Sequence, residues 1–430
     1  MARRFPPRAL GALEEDAPII RAVTFFYPAV LLAFGLALEG FDLGAVLRGL
    51  GTIVREPDTL INDYVAHAGK GAPFVNAGLC SLAAALILKA SGAVISGAAV
   101  TAVFTVAGFS LFGKNLYNIW PAIGGVWLFS RFSRRPFSDY LIVALFGTAL
   151  APLVSEITFG LGLPLALGAP LGIGAGLASG FFLPPLARHL LQFHQGYNLY
   201  NVGLTAGLVG TVAMSIFRAF EVEVGGSGAW SEGNGGTYLP FLVPFFASMI
   251  LLGLAVGPAT ARNLRGIYAS SGRLVSDFVR SQGIGPALAN MGTVGLVGLL
   301  YVLAAGGDWN GPVIGGLLTM CGFAAFGKHP FNILPVMGGV VLAALVSGAP
   351  LSSEGAILAA LFGTTLAPIA GHYGVLAGLA AGALHFVMVT NVGYLHGGLN
   401  LYNNGFSGGI VAGILFPVLE AIRGRRGDEG

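Results

Sequence analysis

Residues 108–125 read GFSLFGKNLYNIWPAIGG, and residues 322–339 read GFAAFGKHPFNILPVMGG. Both carry Gly-Phe, then Phe-Gly-Lys, Asn, Pro and Gly-Gly at one spacing, 214 positions apart. Two unrelated apolar helices do not agree at Lys, Asn and Pro in one order. The same offset holds outward: Asp63 falls on Asp277, Gly69 on Gly283, Asn76 on Asn290 and Gly97 on Gly311. Two further blocks follow. ALFGTxLAP stands at 144–152 and at 360–368, and HxGxNLYNxG stands at 194–203 and at 396–405. Self-similarity of this length marks a duplicated unit. The repeats run over 20–222 and 238–423, joined by a Gly/Ser-rich, mildly acidic linker at 223–237. Residues 1–19 and 424–430 are left as tails.

Composition sets the solvent. Hydrophobic residues make up 55% of the 430, charged residues 10%, and mean hydropathy is +0.79. Soluble domains carry about 25% charge, and polar cover is needed for a chain this size. Lipid is therefore the expected surrounding, where only helices or closed barrels satisfy the backbone. Stretches 23–38, 141–154 and 238–256 do not alternate apolar with polar, so helices are expected rather than barrel strands. The fold class is thus an all-α polytopic membrane protein with two repeats of about five to seven segments each. The first repeat has apolar passes near 22–40, 74–91, 94–112, 116–130, 140–158, 161–183 and 201–218, some of them broken or re-entrant half-helices. The run from Ala22 is long enough to span, and no cleavage pattern precedes it, so a retained first helix is expected.

Charge suggests how the repeats face. Basic clusters stand at Arg3, Arg4 and Arg8, at Arg131, Arg134 and Arg135, at Arg262, Arg265, Arg273 and Arg280, and at Arg423, Arg425 and Arg426. Cytoplasmic loops gather Lys and Arg. Within 41–72, Arg48, Arg55 and Lys70 are outweighed by Asp42, Glu56, Asp58 and Asp63. The equivalent 261–286 has four arginines against Asp277. Homologous loops of opposite balance belong on opposite sides, which implies inverted topology. Both termini are then expected in the cytoplasm, with the linker outside, in a bacterial inner membrane.

Three polar motifs interrupt the apolar passes. Lys114 and Lys328, with Asn118 and Asn332, sit where a helix meets Gly, breaks, and restarts through Pro. Half-helix ends at membrane depth line cavities and aim partial charge at ligands. His194, Asn198, Tyr200 and Asn201, matched by His396, Asn400, Tyr402 and Asn403, bring donors and acceptors close together without fixed charge. These twelve residues are the expected substrate-binding set, with snorkelling lysines and satisfied turn residues as the alternative. Asp63 and Asp277 with Asn76 and Asn290 are candidates for ion or proton coupling, or simply helix caps. Glu156 has no acidic partner in the second repeat and ranks lower. Cys80 and Cys321 are not repeat equivalents and read as small buried hydrophobes. No metal ligand set, cofactor or nucleic-acid motif is expected.

The motifs FGKxxxNxxP and HxGxNLYN resemble those of a bacterial family of uncharacterised multi-pass membrane proteins, over 40–423. That resemblance implies an integral membrane protein and carries over no functional residues. LRGLG at 47–51, and NLYN at 115–118 ahead of Gly124 and Gly125, are more faintly similar to urea transporters, which are built of two inverted repeats. Their LPxxTxPF signature is missing, and Leu183-Pro184-Pro185 is a partial echo, so this resemblance implies architecture and no substrate. The function expected is a channel or secondary transporter for a small polar or anionic solute, at the interface of the repeats. Proton- or cation-coupled ion transport is an alternative, and a non-transporting partner subunit another. An intramembrane enzyme is disfavoured, since duplicated motifs lack asymmetric roles and no HExxH or GxSxG is present. No P-loop points to direct ATP drive. The expected partners are the bilayer, a small solute or ion, and further copies of the chain in a homo-oligomer.

Overall fold

Backbone groups in lipid must close on themselves, and the described residues form helices without a strand. The computed structural model describes residues 10–93, 96–225 and 228–428, with side chains from Asp16 to Arg423. Arg3, Arg4, Arg8, Arg425 and Arg426 fall outside the described side chains.

The first half runs α1 Leu10–Leu38, α2 Leu43–Arg55, α3 Tyr64–Ala68, α4 Ala72–Ala90, α5 Gly97–Phe109, α6 Ile119–Phe132, α7 Leu141–Gly147, α8 Ala151–Ser155, α9 Leu165–Phe193 and α10 Asn201–Ala219. The second half runs in the same order: α11 Gly235–Ala255, α12 Thr260–Tyr268, α13 Phe278–Gln282, α14 Ile284–Ala305, α15 Gly311–Phe323, α16 Pro330–Ser347, α17 Glu354–Gly363, α18 Ala367–Tyr373, α19 Val375–His396 and α20 Asn403–Asp428. A 3₁₀ turn joins α7 to α8 at Thr148–Leu150, and another joins α17 to α18 at Thr364–Leu366. Among the described residues, eleven stretches are long and apolar enough to cross a membrane. The seven passes expected in the first half fall on α1, α4, α5, α6, α7–α8, α9 and α10. Two boundaries differ from expectation: α1 begins at Leu10 and α20 reaches Asp428, inside the segments read as tails.

Local chemistry sets the short elements. Asp42 caps α2 through the N–H groups of Gly44 and Ala45. Ser96 and Asn310 cap the equivalent helices α5 and α15. At 13 residues each, α5 and α15 are about 20 Å long, short of the about 30 Å of a bilayer core. They are buried almost along their whole length. Apolar burial drives little between helices in lipid, so close backbone packing has to. A side chain at Gly125 or Gly180 would collide with the facing carbonyl of Leu177 or Ala122, bringing α6 against α9. Gly339 and Gly382 do the same for α16 and α19.

Equivalent helices of the two halves meet antiparallel. Phe34 of α1 stacks on Phe241 of α11 at 3.8 Å, while Tyr27, two turns earlier, meets Phe245 at 5.1 Å and Ser248 at 3.2 Å. On α5 and α15, Gly97 faces Ala325, Gly108 faces Gly315, and Gly311 faces Leu111. Thr101 donates to the Gly322 carbonyl at 2.7 Å. The N-termini of α5 and α15 therefore lie at opposite ends of this central pair. Backbone bonds between the halves repeat the relation. Leu60 N–H donates to Gly398 at 3.0 Å, and Leu274 N–H to Gly196 at 3.1 Å. Leu199 N–H donates to Thr365 at 3.0 Å, and Leu401 N–H to Ala149 at 2.9 Å.

Candidate functional site

The helix α5 ends at Phe109 and α6 starts at Ile119, α15 ends at Phe323 and α16 starts at Pro330, and Phe-Gly-Lys stands in each gap. Asn76 bridges this break in the first half, donating to the carbonyls of Ser110 at 2.7 Å and Lys114 at 2.8 Å. Asn290 does the same for Ala324 and Lys328 at 2.8 and 2.7 Å. Asn118 and Asn332 donate to the carbonyls of Gly113 and Gly327 at 3.0 and 2.9 Å. These amides satisfy carbonyls that the broken helices leave open, and the break is thereby a fixed shape.

The lysines it presents are wholly buried. Lys114 Nζ donates to the hydroxyl of Tyr402 at 2.6 Å, and Lys328 Nζ to that of Tyr200 at 2.6 Å. Each lysine thus reaches the tyrosine of the opposite half. Lys114 lies 4.7 Å from the Tyr402 ring and 5.2 Å from Phe109; Lys328 lies 4.5 Å from Tyr200 and 5.2 Å from Phe323. Lys328 also donates to Thr364 at 2.8 Å. Among the described residues neither lysine has a carboxylate within 4 Å.

Between the two dyads lies a cavity of about 220 Å³. Three equivalent pairs line it: Thr105 with Thr319, Phe109 with Phe323, and Tyr200 with Tyr402. Since each Nζ donates to a phenol oxygen, the phenol O–H is left to donate elsewhere. A second cavity of about 520 Å³ shares Val143, Leu191 and Asn201 with the first and carries Arg135, Arg188 and Asp139 on its wall.

Of the twelve expected binding residues, Tyr200, Tyr402 and Asn201 line the central cavity, and Lys114 and Lys328 stand directly behind the tyrosines. The rest stand outside the lining and hold these residues and the breaks in place. His194 pairs with Asn201 at 2.9 Å and His396 with Asn403 at 3.0 Å; the same Asn side chains donate back to Ala187 and Val389. Asn198 and Asn400 accept from the N–H groups of Tyr200 and Tyr402 at 3.2 and 3.0 Å, and so aim the rings. Asn118 and Asn332 hold the breaks, as above.

The four candidate coupling residues all make hydrogen bonds that join separate elements. Asp63 caps α3 at Val65 N–H and also accepts from Gly311 N–H at the start of α15, at 3.0 Å. Ser231 of the linker donates to its other oxygen through N–H at 2.8 Å and hydroxyl at 2.6 Å. Asp277 caps α13 at Arg280 N–H and accepts from Gly97 N–H at the start of α5. Each aspartate thus caps a helix of both halves, and burial pushes both carboxyls above the usual range. Among the described residues no three His, Cys, Asp or Glu form a metal-sized group.

Sequence reading missed Thr105, Thr319, Phe109 and Phe323 as lining residues. Both pairs obey the 214 offset, which was a signal, but hydroxyl and phenyl groups in apolar helices carry no mark of a site.

The fold defines the class: a multi-pass helical membrane protein, duplicated in order of elements, with paired broken helices around a central cavity. The chain belongs to the family described as "Protein of unknown function (DUF1576)", whose model matches residues 43–219 and 258–421. Those two stretches run from α2 to α10 and from α12 into α20. No curated protein and no solved structure matches the chain.

Proposed function

We propose that the protein is a channel or secondary transporter for a small polar or anionic solute, held between inverted repeats. The observation that carries this is the pair of buried lysines with no carboxylate partner among the described residues, each offered to one cavity through a tyrosine of the other half. A buried ammonium without a counter-charge costs several kcal/mol after relaxation. A cation–π contact returns about 1–2 kcal/mol, and one hydrogen bond about 1 kcal/mol. The remaining deficit favours a ligand bearing negative charge or strong acceptors. Arg135 and Arg188 on the adjoining cavity bias its approach the same way.

Inverted topology is supported by the antiparallel pairing of α1 with α11 and α5 with α15. It is supported again by Asp63 and Asp277, which sit at opposite ends of α5 and α15. On the charge pattern, both termini face the cytoplasm of a bacterial inner membrane and the linker faces out. We assign the protein no catalytic reaction, and we read it as a homo-oligomer.

Liposome flux over a panel of small anions and neutral polar solutes tests this. Specific flux that falls in Lys114→Met, Lys328→Met, Tyr200→Phe and Tyr402→Phe supports it. Well-folded protein that passes no solute under any gradient ends it.

A further inference from the structure

The two breaks are not held alike. Asp58, in the turn between α2 and α3, is fully buried. Its Oδ1 accepts from the Tyr64 hydroxyl at 2.6 Å. Its Oδ2 accepts from Asn115 Nδ2 at 2.8 Å, Asn118 Nδ2 at 2.9 Å and Ser155 Oγ at 2.9 Å. One carboxylate therefore ties α3, the α5–α6 break and α8 together. At the repeat positions the second half has Gly272, Phe278, His329, Asn332 and Gly371. There main-chain carbonyls take the carboxylate's place: His329 Nε2 pairs with the Ser270 carbonyl at 2.9 Å and Asn332 Nδ2 donates to that of Ser271 at 3.5 Å, while a side chain at Gly272 would collide with the Gly327 carbonyl, and one at Gly371 with that of Ser271. Asp58 and Gly272 both hold positive φ, +63° and +72°. Glycine takes that conformation freely and aspartate at some strain, so the first half tolerates a less suitable residue where it gains a carboxylate.

The charged and titratable groups around Asp58 are few. Glu56 ends α2, and Tyr64 and His67 lie on α3. Lys114 and Tyr117 flank the break, and Glu156 follows α8. Lys114 turns away to Tyr402, and no cation lies within 4 Å of Asp58 among the described residues. Glu56 and His67, 3.8 Å apart, are each about one-fifth exposed. This end of the molecule also carries the linker, since Thr59 donates to Gly225 and Ser231 to Asp63. Burial pushes the Asp58 carboxyl up, against the pull of its four donors.

We propose that Asp58 is a proton-binding site that couples solute movement to a proton gradient. A proton arriving past Glu56 and His67 converts the carboxylate to the acid. The oxygen that takes it becomes a donor and no longer accepts every bond directed at it. The α5–α6 break, and Lys114 on it, is released from α3 and α8, while the break of the second half, whose side chains bond main-chain carbonyls and no carboxylate, keeps its shape. The coupling clause rests on the transport reading; the proton site does not.

Two measurements separate them. Infrared difference spectra between acid and alkaline purified protein should show a protonated-carboxyl band that Asp58→Asn lacks. In Ser155→Ala, which removes one donor to the anion, the band's midpoint should rise by about one pH unit. Identical difference spectra in wild type and Asp58→Asn, or an unmoved midpoint in Ser155→Ala, overturn the proton site. In liposomes, Asp58→Asn should lose proton-driven accumulation about tenfold, equivalent to about 1.4 kcal/mol, while gradient-free counterflow stays near wild type. Accumulation equal to wild type overturns the coupling. If Asp58→Asn does not fold, Ser155→Ala carries both tests, with accumulation shifted along the pH axis like the band; an unshifted profile overturns the coupling. An infrared band that behaves as stated in a protein without flux would sink the transport reading alone.

Discussion

The break after α5 and the break after α15 share their anchoring asparagines and a buried lysine, yet they close in different ways. The second is closed against main-chain carbonyls, by His329 and Asn332 and by the bare glycines Gly272 and Gly371. The first is closed by side chains converging on Asp58. Shared anchors with unlike fasteners show what both halves kept and what one half holds alone. The Lys–Tyr dyads and the Asp63 and Asp277 caps are common to both halves; the carboxylate cage belongs to one.

The largest effect should come from forcing the fasteners to match. Gly272→Asp places a side chain against the Gly327 carbonyl, and a cost of at least about 3 kcal/mol is expected from the backbone shift it forces. Little folded protein should elute as a single species in size-exclusion chromatography. Full recovery would mean the halves are closed less differently than described.

Lys114→Met and Lys328→Met come next. Each should cut solute flux about a hundredfold, equivalent to about 2.7 kcal/mol. Each should also leave thermal stability unchanged or raised, because an apolar side chain of similar length replaces an uncompensated charge. Lower flux together with lower stability would make the lysines structural. The pair should behave alike, since both dyads measure 2.6 Å.

The caps should differ. Asp63→Ala strands four donors, two of them on Ser231, whereas Asp277→Ala strands those of Arg280 and Gly97. Chemical denaturation should show about 2–3 kcal/mol lost for the first and about 1–2 for the second. Equal losses would remove the linker contact from the account.

The pH dependence of stability sharpens the asymmetry. Burial raises the carboxyls of Asp58, Asp63 and Asp277 above the ordinary 3.8. The folded state therefore keeps protons that the unfolded chain has released. This contribution is full below the unfolded value and is lost as pH rises toward the folded values, so melting temperature should fall across that window and then level. Asp58→Asn should flatten part of the fall. The smallest effects belong to His194→Gln and His396→Gln, about 1 kcal/mol each for one neutral hydrogen bond. Near-equal melting shifts are expected from their matching bonds to Asn201 and Asn403.

Much of this was legible before any coordinates. The repeat, the seven passes of the first half and the two lysines follow from periodicity and from polar residues that recur in step. What stayed hidden shares one cause: the meaning of those residues is tertiary. Asp58 lies 97 positions from Ser155 and off the repeat pattern, so nothing along the chain announces that they meet. Asp63 and Asp277 were visible as a pair, but each cap bonds a helix of the opposite half, a contact that only the antiparallel pairing of α5 with α15 creates. His194 and Asn198 were visible too, and their neighbours in space, not their spacing, make them supports for Tyr200 rather than members of the cavity wall.

The crossed bonds from Lys114 to Tyr402 and from Lys328 to Tyr200 also bear on ancestry. A polypeptide of half this length would own a lysine and a tyrosine that cannot meet each other; two copies would complete two dyads at once. The ancestral unit was in that case an obligate dimer, and in such a dimer any new residue appears twice. Only after the copies were fused through residues 223–237 could an acid be kept at one position while its twin remained a bare glycine.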